Sequence, residues 1–254
     1  MVAEEFSSGN SPLHDLDPRI KIIVTTLFSI IVAVSDRTEV LLVALLFSVC
    51  CIIVSRLPLI KVMARLLLVN GFILLLWIFL PFTYPGKILF SLGPLDATVE
   101  GIRYALSITI KSNTIVLAGI ALLGTTPIFT LAHALRHLRV PDKLVQLLFF
   151  SFRYTHVIYF EYVRLLNAMK VRCFHPRSDV HTYRTYAHLV GMVVLKSYDR
   201  SERVHDAMRC RGFKGKFWVL DHFRLRRRDF ISCTIMLIYL TGLGFLQWGK
   251  GLLS

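Results

Sequence analysis

Four stretches of this chain are each long and apolar enough to cross a lipid bilayer, and nothing else in the sequence constrains the fold as much. They are 39–55 (EVLLVALLFSVCCIIVS), 62–82 (VMARLLLVNGFILLLWIFLPF), 102–124 (IRYALSITIKSNTIVLAGIALLG) and 229–247 (DFISCTIMLIYLTGLGFLQ). A helix rises about 1.5 Å per residue, so roughly 20 apolar residues cover a hydrocarbon core of about 30 Å. Lipid offers a backbone no hydrogen-bond partners, and a helix satisfies its own. A fifth stretch, 20–34 (IKIIVTTLFSIIVAV), is shorter. Snorkelling of Arg19 and Lys21 to the interface would let it span; a re-entrant or interfacial helix is the competing reading. At 55% hydrophobic residues in 254, the apolar material exceeds the needs of a soluble core and sits in blocks. The predicted class is an all-α integral membrane protein with about five transmembrane helices.

Charge orients these spans. Of 30 Lys and Arg, 20 lie between residues 125 and 228 with seven acidic residues, so +13 of the net +14 is concentrated there. Lys and Arg are retained on the cytoplasmic side of a membrane, so this region reads as cytoplasmic. Arg56, Lys61 and Arg65 make the loop after the second segment basic too, while the turn-rich loop at 83–101 is nearly neutral. The expected topology has the N-terminus inside, five crossings, and a large cytoplasmic insertion before the last one. That divides the chain into residues 1–124 (spans), 125–228 (cytoplasmic region) and 229–254 (last span). A basic surface also suits nucleic acid, but no base-reading motif accompanies it and no nucleic-acid partner is expected. The cysteines (Cys50, Cys51, Cys173, Cys210, Cys233) have no metal or redox spacing, so no disulfide and no zinc is predicted. The acidic N-terminus does not look like a cleaved signal segment.

The insertion holds two long amphipathic helical candidates. One starts near Pro141 and Asp142 and runs to Arg172; the other starts at Ser178 and Asp179 and runs to Arg211. The second carries Tyr183, Tyr186, Val190, Val193, Ser197, Val204 and Met208 along one side, with Arg184, His188, Lys196, Arg200 and Arg203 off it. The first is apolar nearly all round; it reads as a helix buried between spans and a partner, with a membrane crossing as the alternative.

Both helices end on the same motif. AMKVRCF at 168–174 recurs as AMRCRGF at 207–213, so Ala168, Met169, Arg172 and Phe174 match Ala207, Met208, Arg211 and Phe213. An Arg near a helix C-terminus complements the exposed carbonyls and gains about 0.3–1 kcal/mol. That accounts for one Arg at one helix end, not for a five-position match at the ends of two successive helices. A second reading makes the tips equivalent plugs for two equivalent sockets, with a guanidinium for carboxylates and Met and Phe for apolar packing.

The segment KSYDRSERVHDAMRCRGFKG at 196–215, with LDPRIK at 16–21, resembles the T component of energy-coupling-factor (ECF) transporters, most closely the CbiQ branch serving cobalt uptake. The resemblance covers nearly the whole chain. It implies a transmembrane scaffold subunit of an ABC-type importer whose two coupling helices each end in an Ala-Arg-Gly-type motif docked on one of two cytosolic ATPase subunits. It then assigns Cys210, Arg211 and Gly212 to one coupling tip and Val171, Arg172 and Cys173 to the other, supported by Ala168, Met169, Phe174, Ala207, Met208 and Phe213. Neither copy keeps the family's Ala before Arg. Cys173 stands where Gly would allow a left-handed turn, so the first helix is expected to end differently.

The resemblance further implies that ATP hydrolysis by the ATPases drives reorientation of a separate substrate-binding membrane subunit. ATP and Mg would be bound by those partners, and no cofactor by this chain. Cobalt is the favoured substrate, linked to cobalamin biosynthesis, with nickel or a vitamin as alternatives. The implied location is the prokaryotic inner membrane, multi-pass, with the coupling region cytoplasmic.

Other motifs carry less. GFLQWGKG at 244–251 fits a phosphate-loop pattern formally, but Gly251 replaces the Ser or Thr and only three residues follow. His133 and His137 lie one helical turn apart without an accompanying carboxylate or cysteine, and read as interfacial histidines rather than a metal site. Lys111 and Asn113 sit mid-span, where a charge is costly; they read as hydrogen bonds to a neighbouring helix or as a contact to the partner subunit. No nucleophile, base and orienting acid occur together, so a non-catalytic subunit is expected. The rival readings are a stand-alone membrane permease or channel, and a membrane-bound enzyme.

Overall fold

The computed structural model describes residues 6, 9, 11–92, 95–215 and 227–248. Most of the acidic N-terminal segment, residues 216–226 of the basic insertion, and the Gly249–Gly251 end of the phosphate-loop-like match lie outside the described residues. In chain order the elements are α1 (Pro18–Val34), α2 (Thr38–Ser55), α3 (Leu59–Thr83), β1 (Ile88–Leu92), β2 (Leu95–Thr98), α4 (Val99–Leu122), α5 (Ile128–His137), α6 (Asp142–Val171), α7 (Val180–Cys210) and α8 (Arg227–Trp248). The chain divides into two compact units, Met1–Ala134 with Phe223–Ser254, and Leu135–His222.

The first unit is a bundle of α1 to α4 and α8. α2, α3, α4 and Asp229–Gln247 of α8 are long and apolar enough to cross a membrane. Much of their apolar surface faces outward, including Leu67, Leu68 and Phe72 of α3. Exposed leucine and phenylalanine on this scale are stable only against lipid or another protein. The fifth stretch also belongs to the bundle. Pro18 opens α1 behind an Asp17 cap that accepts from the Arg19 amide at 2.9 Å. Its Val24, Phe28 and Val32 are buried in one cluster with Val40, Leu41 and Ala44 of α2, Ala118 and Leu122 of α4, and Leu240 and Leu243 of α8. Lys21 does not snorkel: its side chain is fully buried.

Small residues set the spacing around α4, where Ala105, Ala118 and Ala121 are buried and let neighbouring backbones approach. Ser48 of α2 donates to the Ala44 and Thr114 carbonyls at 3.1 Å, a hydroxyl shared between two helices. Asn113 donates to Asn70 Oδ1 of α3 at 3.0 Å, and Trp77 Nε1 donates to Thr109 Oγ1 at 2.9 Å. The loop expected at 83–101 is in part an antiparallel hairpin, β1 with β2. Thr98 closes it, accepting from the Gly101 amide at 3.3 Å and donating to the Tyr84 carbonyl at 2.7 Å. A β-carbon on Gly101 would stand 2.8 Å from the Leu80 carbonyl oxygen, so only glycine lets α3 and α4 come this close.

The second unit is built on α6 and α7, of 30 and 31 residues, close to the lengths expected. Among the described residues, none of α6 is buried. The covered side of α7 runs through Thr182, Tyr186, Leu189, Val193, Lys196, Ser197, Arg200, Val204 and Met208. This corrects the predicted stripe at two apolar positions, because Tyr183 and Val190 are 68% and 58% exposed while Leu189 is 5%. It also moves Lys196 and Arg200 onto the seam, where they face Glu161 of α6.

Candidate functional site

The two motif copies form one structure twice. At the end of α6, the Arg172 amide donates to the Ala168 and Met169 carbonyls, Cys173 to Lys170 at 3.0 Å, and Phe174 to Met169 at 3.2 Å. At the end of α7, Arg211 donates to Ala207 and Met208, Gly212 to Arg209 at 2.9 Å, and Phe213 to Met208 at 3.0 Å. Each is a Schellman C-cap, in which a left-handed residue turns the chain so that the next amides bond back to the last carbonyls. The left-handed residues are Cys173 at φ 56° and Gly212 at φ 80°. The expectation that the first helix ends differently is therefore wrong: Cys173 adopts the turn that Gly212 adopts, held there by the same bonds.

This geometry explains the repeat position by position. Met169 and Phe174, like Met208 and Phe213, occupy the two positions whose side chains meet across a Schellman turn, and all four are half-buried while their neighbours are exposed. The Arg sits on the cap residue itself, at φ −83° for Arg172 and −87° for Arg211. Its side chain projects from the helix end into solvent, as do Ala168, Val171, Ala207 and Cys210. Each tip is thus a rigid turn carrying an exposed guanidinium beside an apolar pair.

The tips lie at opposite ends of the pair. Glu161 of α6 meets Lys196 and Arg200 of α7, Phe150 and Tyr154 line a groove with Val204 and Met208, and Gln146 near the start of α6 donates to the Gly215 carbonyl at 3.0 Å. At the other end, Phe174 packs on His181 and Tyr186 near the start of α7. These pairings run in reverse order, so the helices are antiparallel. Arg172 and Arg211 are separated by about one helix length, roughly 45 Å for 30 residues.

Glu161 fixes the crossing. Its carboxylate accepts from Lys196 Nζ at 2.6 Å, with Arg164 at 3.4 Å and Arg200 at 3.9 Å, and its side chain is 12% exposed. The Lys196 hydrogen bond holds its pKa below the usual carboxylate range; partial desolvation opposes this, while the charges of Lys196, Arg164 and Arg200 reinforce it. The sequence pattern had excluded Lys196 and Arg200 from the packed stripe as cations, but a carboxylate on the facing helix makes the seam the right place for them. Beside the crossing, Phe150, Tyr154, Ile158, Val204, His205 and Met208 help line a largely apolar groove of about 520 Å³. A second groove of about 340 Å³ is lined in part by Phe149, Arg153, Ala207 and Arg211, joining it to the α7 tip.

Lys111 and Asn113 serve the bundle. Lys111 Nζ donates to the Ala33 carbonyl and to Asp36 Oδ1, both at 3.1 Å. Because α1 has only 17 residues against 24 in α4, the turn after α1 meets α4 at its middle, so a mid-helix lysine reaches a carboxylate that is 89% exposed. Asn113 bonds Asn70, and its own Oδ1 is buried without a partner among the described residues. Sequence reasoning sent Lys21 to the interface, but it is buried and donates to Thr125 Oγ1 at 3.3 Å and Thr126 Oγ1 at 2.7 Å.

A family model described as cobalt transport protein (CbiQ) matches residues 9–219. Among curated relatives, the energy-coupling factor transporter transmembrane protein EcfT of Leuconostoc gelidum subsp. gasicomitatum is 28% identical, covering 89% of this chain and 91% of its own. The protein of the same name in Listeria innocua is 26% identical over 98% of this chain and 97% of its own. The one in Thermosediminibacter oceani is 25% identical over 83% of each. With two matching helix ends, a bundle of apolar spans, and a family match over most of its length, the chain belongs to the CbiQ family, the transmembrane T components of energy-coupling-factor transporters.

Proposed function

We propose that this subunit couples two cytosolic ATPases to a substrate-binding membrane subunit, with α6 and α7 as the coupling helices and Arg172 and Arg211 as their contacts. The observation that carries this reading is the identity of the two helix caps, bond for bond, at opposite ends of an antiparallel pair. An antiparallel pair has a local two-fold axis through its crossing, which suits two identical or homologous ATPases related in the same way. A guanidinium offers a carboxylate socket two parallel hydrogen bonds, and the neighbouring Met and Phe give the apolar rim that keeps water from that contact.

The chain is non-catalytic in this reading, and ATP and Mg are held by the ATPases. The basic insertion faces the cytoplasm of a prokaryotic cell, since the concentration of Lys and Arg there favours that side. Cobalt is the substrate we favour, from the description of the matching family, with nickel next. Lys111 and Asn113 hold α4 to α1 and α3.

The test is co-purification in mild detergent with the ATPases and the substrate-binding subunit. Wild type is expected to recover two ATPase copies. Arg172→Ala and Arg211→Ala are each expected to weaken ATPase binding by about 30-fold, as for loss of a central arginine worth about 2 kcal/mol, while the protein stays inserted. Full retention of both ATPases and of uptake in the double variant would refute the role of the tips.

A further inference from the structure

Lys21 belongs to the LDPRIK segment, and the coupling reading leaves it without a role. An ammonium in the first turn of α1 is well placed to reach water by extending along the helix end. It turns inward instead, is fully buried, and donates to Thr126 Oγ1 at 2.7 Å and Thr125 Oγ1 at 3.3 Å. The carboxylates of Asp15 and Asp17 act on it electrostatically. A side chain of similar volume without charge would fill this space without the desolvation penalty that an ammonium carries, so packing alone does not explain a lysine here.

Its two acceptors sit at a junction. α4 ends at Leu122, and Thr125 Oγ1 donates back to the Ala121 and Leu122 carbonyls at 3.1 Å, capping the helix while leaving lone pairs for Lys21. Pro127 then opens α5, and the chain continues to α6. One of the two covalent paths between the bundle and the coupling helices therefore passes through Thr125 and Thr126. α4 is also the helix that packs on α1, α2 and α3 alike. The bonds from Lys21 tie α1 to the end of that central helix, on the stretch of chain that leads to α5 and α6.

We propose that Lys21 is a positioning residue for energy coupling: it locks the α4–α5 junction to α1, so that movement driven at the helix tips shifts the bundle instead of bending the junction. This rests on the coupling function proposed above. The predicted signature of its loss is ATP hydrolysis without proportionate transport.

The experiment uses the full complex, co-expressed with its ATPases and substrate-binding subunit and reconstituted in proteoliposomes, with ATP hydrolysis and radiolabelled cobalt uptake measured in parallel. Lys21→Met is expected to assemble and to hydrolyse ATP within about two-fold of wild type, with uptake per ATP reduced about five-fold or more, the low end of the range for coupling between sites. Thr126→Val, which keeps shape and removes the acceptor, is expected to lower the same ratio, and Lys21→Met with Thr126→Val to be no worse than Lys21→Met alone. Lys21→Arg is expected to recover part of the ratio. Unchanged uptake per ATP in assembled Lys21→Met overturns the proposal, as does an equal fall in hydrolysis and uptake. If Lys21→Met fails to insert, an unchanged ratio in Thr126→Val overturns it instead. A wild-type complex that assembles no ATPase, or moves neither cobalt nor nickel, would refute the coupling reading itself, a result distinct from either variant outcome.

Discussion

Exchanging the left-handed residues of the two tips tests whether the caps are equivalent. At φ 56° Cys173 pays the steric cost of a β-carbon in the left-handed region, where Gly212 at φ 80° pays none. That cost is about 1–2 kcal/mol for an L-residue. Glycine loses about 0.5–1 kcal/mol more conformational freedom when its backbone is fixed, so the net gain from Cys173→Gly is about 1 kcal/mol, a factor of about five in local opening. Gly212→Cys should lose as much. The reporters are the amides that close each turn, Phe174 to Met169 at 3.2 Å and Phe213 to Met208 at 3.0 Å. Hydrogen-exchange mass spectrometry on the detergent-solubilised protein, corrected for intrinsic rates, should show Phe174 exchanging about five-fold more slowly in Cys173→Gly and Phe213 about five-fold faster in Gly212→Cys. Faster exchange of Phe174 in Cys173→Gly, or no change at either tip, would refute the shared cap as the reason for the repeat.

Gly101→Ala places a methyl group 2.8 Å from the Leu80 carbonyl oxygen and Pro81 Cα; overpacking at this junction should cost about 1–3 kcal/mol, seen as a lower thermal midpoint in detergent. Asn70→Leu leaves the Asn113 amide without its interhelical acceptor, at about 1–3 kcal/mol, and adding Asn113→Leu should recover most of that loss in the same melt. Glu161→Gln should loosen α6 from α7, read as faster exchange in both helices at neutral pH. Because Glu161 titrates below its usual value near 4.5, its contribution is complete above that value and is lost as the pH falls through the lowered native one. Wild type should therefore destabilise in that acid window more than Glu161→Gln does, as measured by circular dichroism melts.

The sequence alone determined the class, the four long spans, the extents of α6 and α7 to within a few residues, and the paired tips. All of these follow from local rules: a span needs only length and apolar content, and a cap needs only a handful of consecutive residues. The repeat revealed the tips, but not that Met and Phe are its two packing positions or that Cys173 takes the left-handed turn, because a residue's φ is set by the bonds that the following residues make.

What lay beyond the sequence shares one cause, the identity of a neighbour distant in the chain. Lys196 and Arg200 belong on the seam of α7 only because Glu161 waits 35 residues before the lysine. Lys111 is paired rather than stranded because a short α1 brings Asp36 to the middle of α4. Lys21 is buried because Thr125 and Thr126, more than a hundred residues away, accept from it. Periodicity assigns a charged residue to a polar face by default, and only the packed structure, by supplying a partner that offsets desolvation, places it inside.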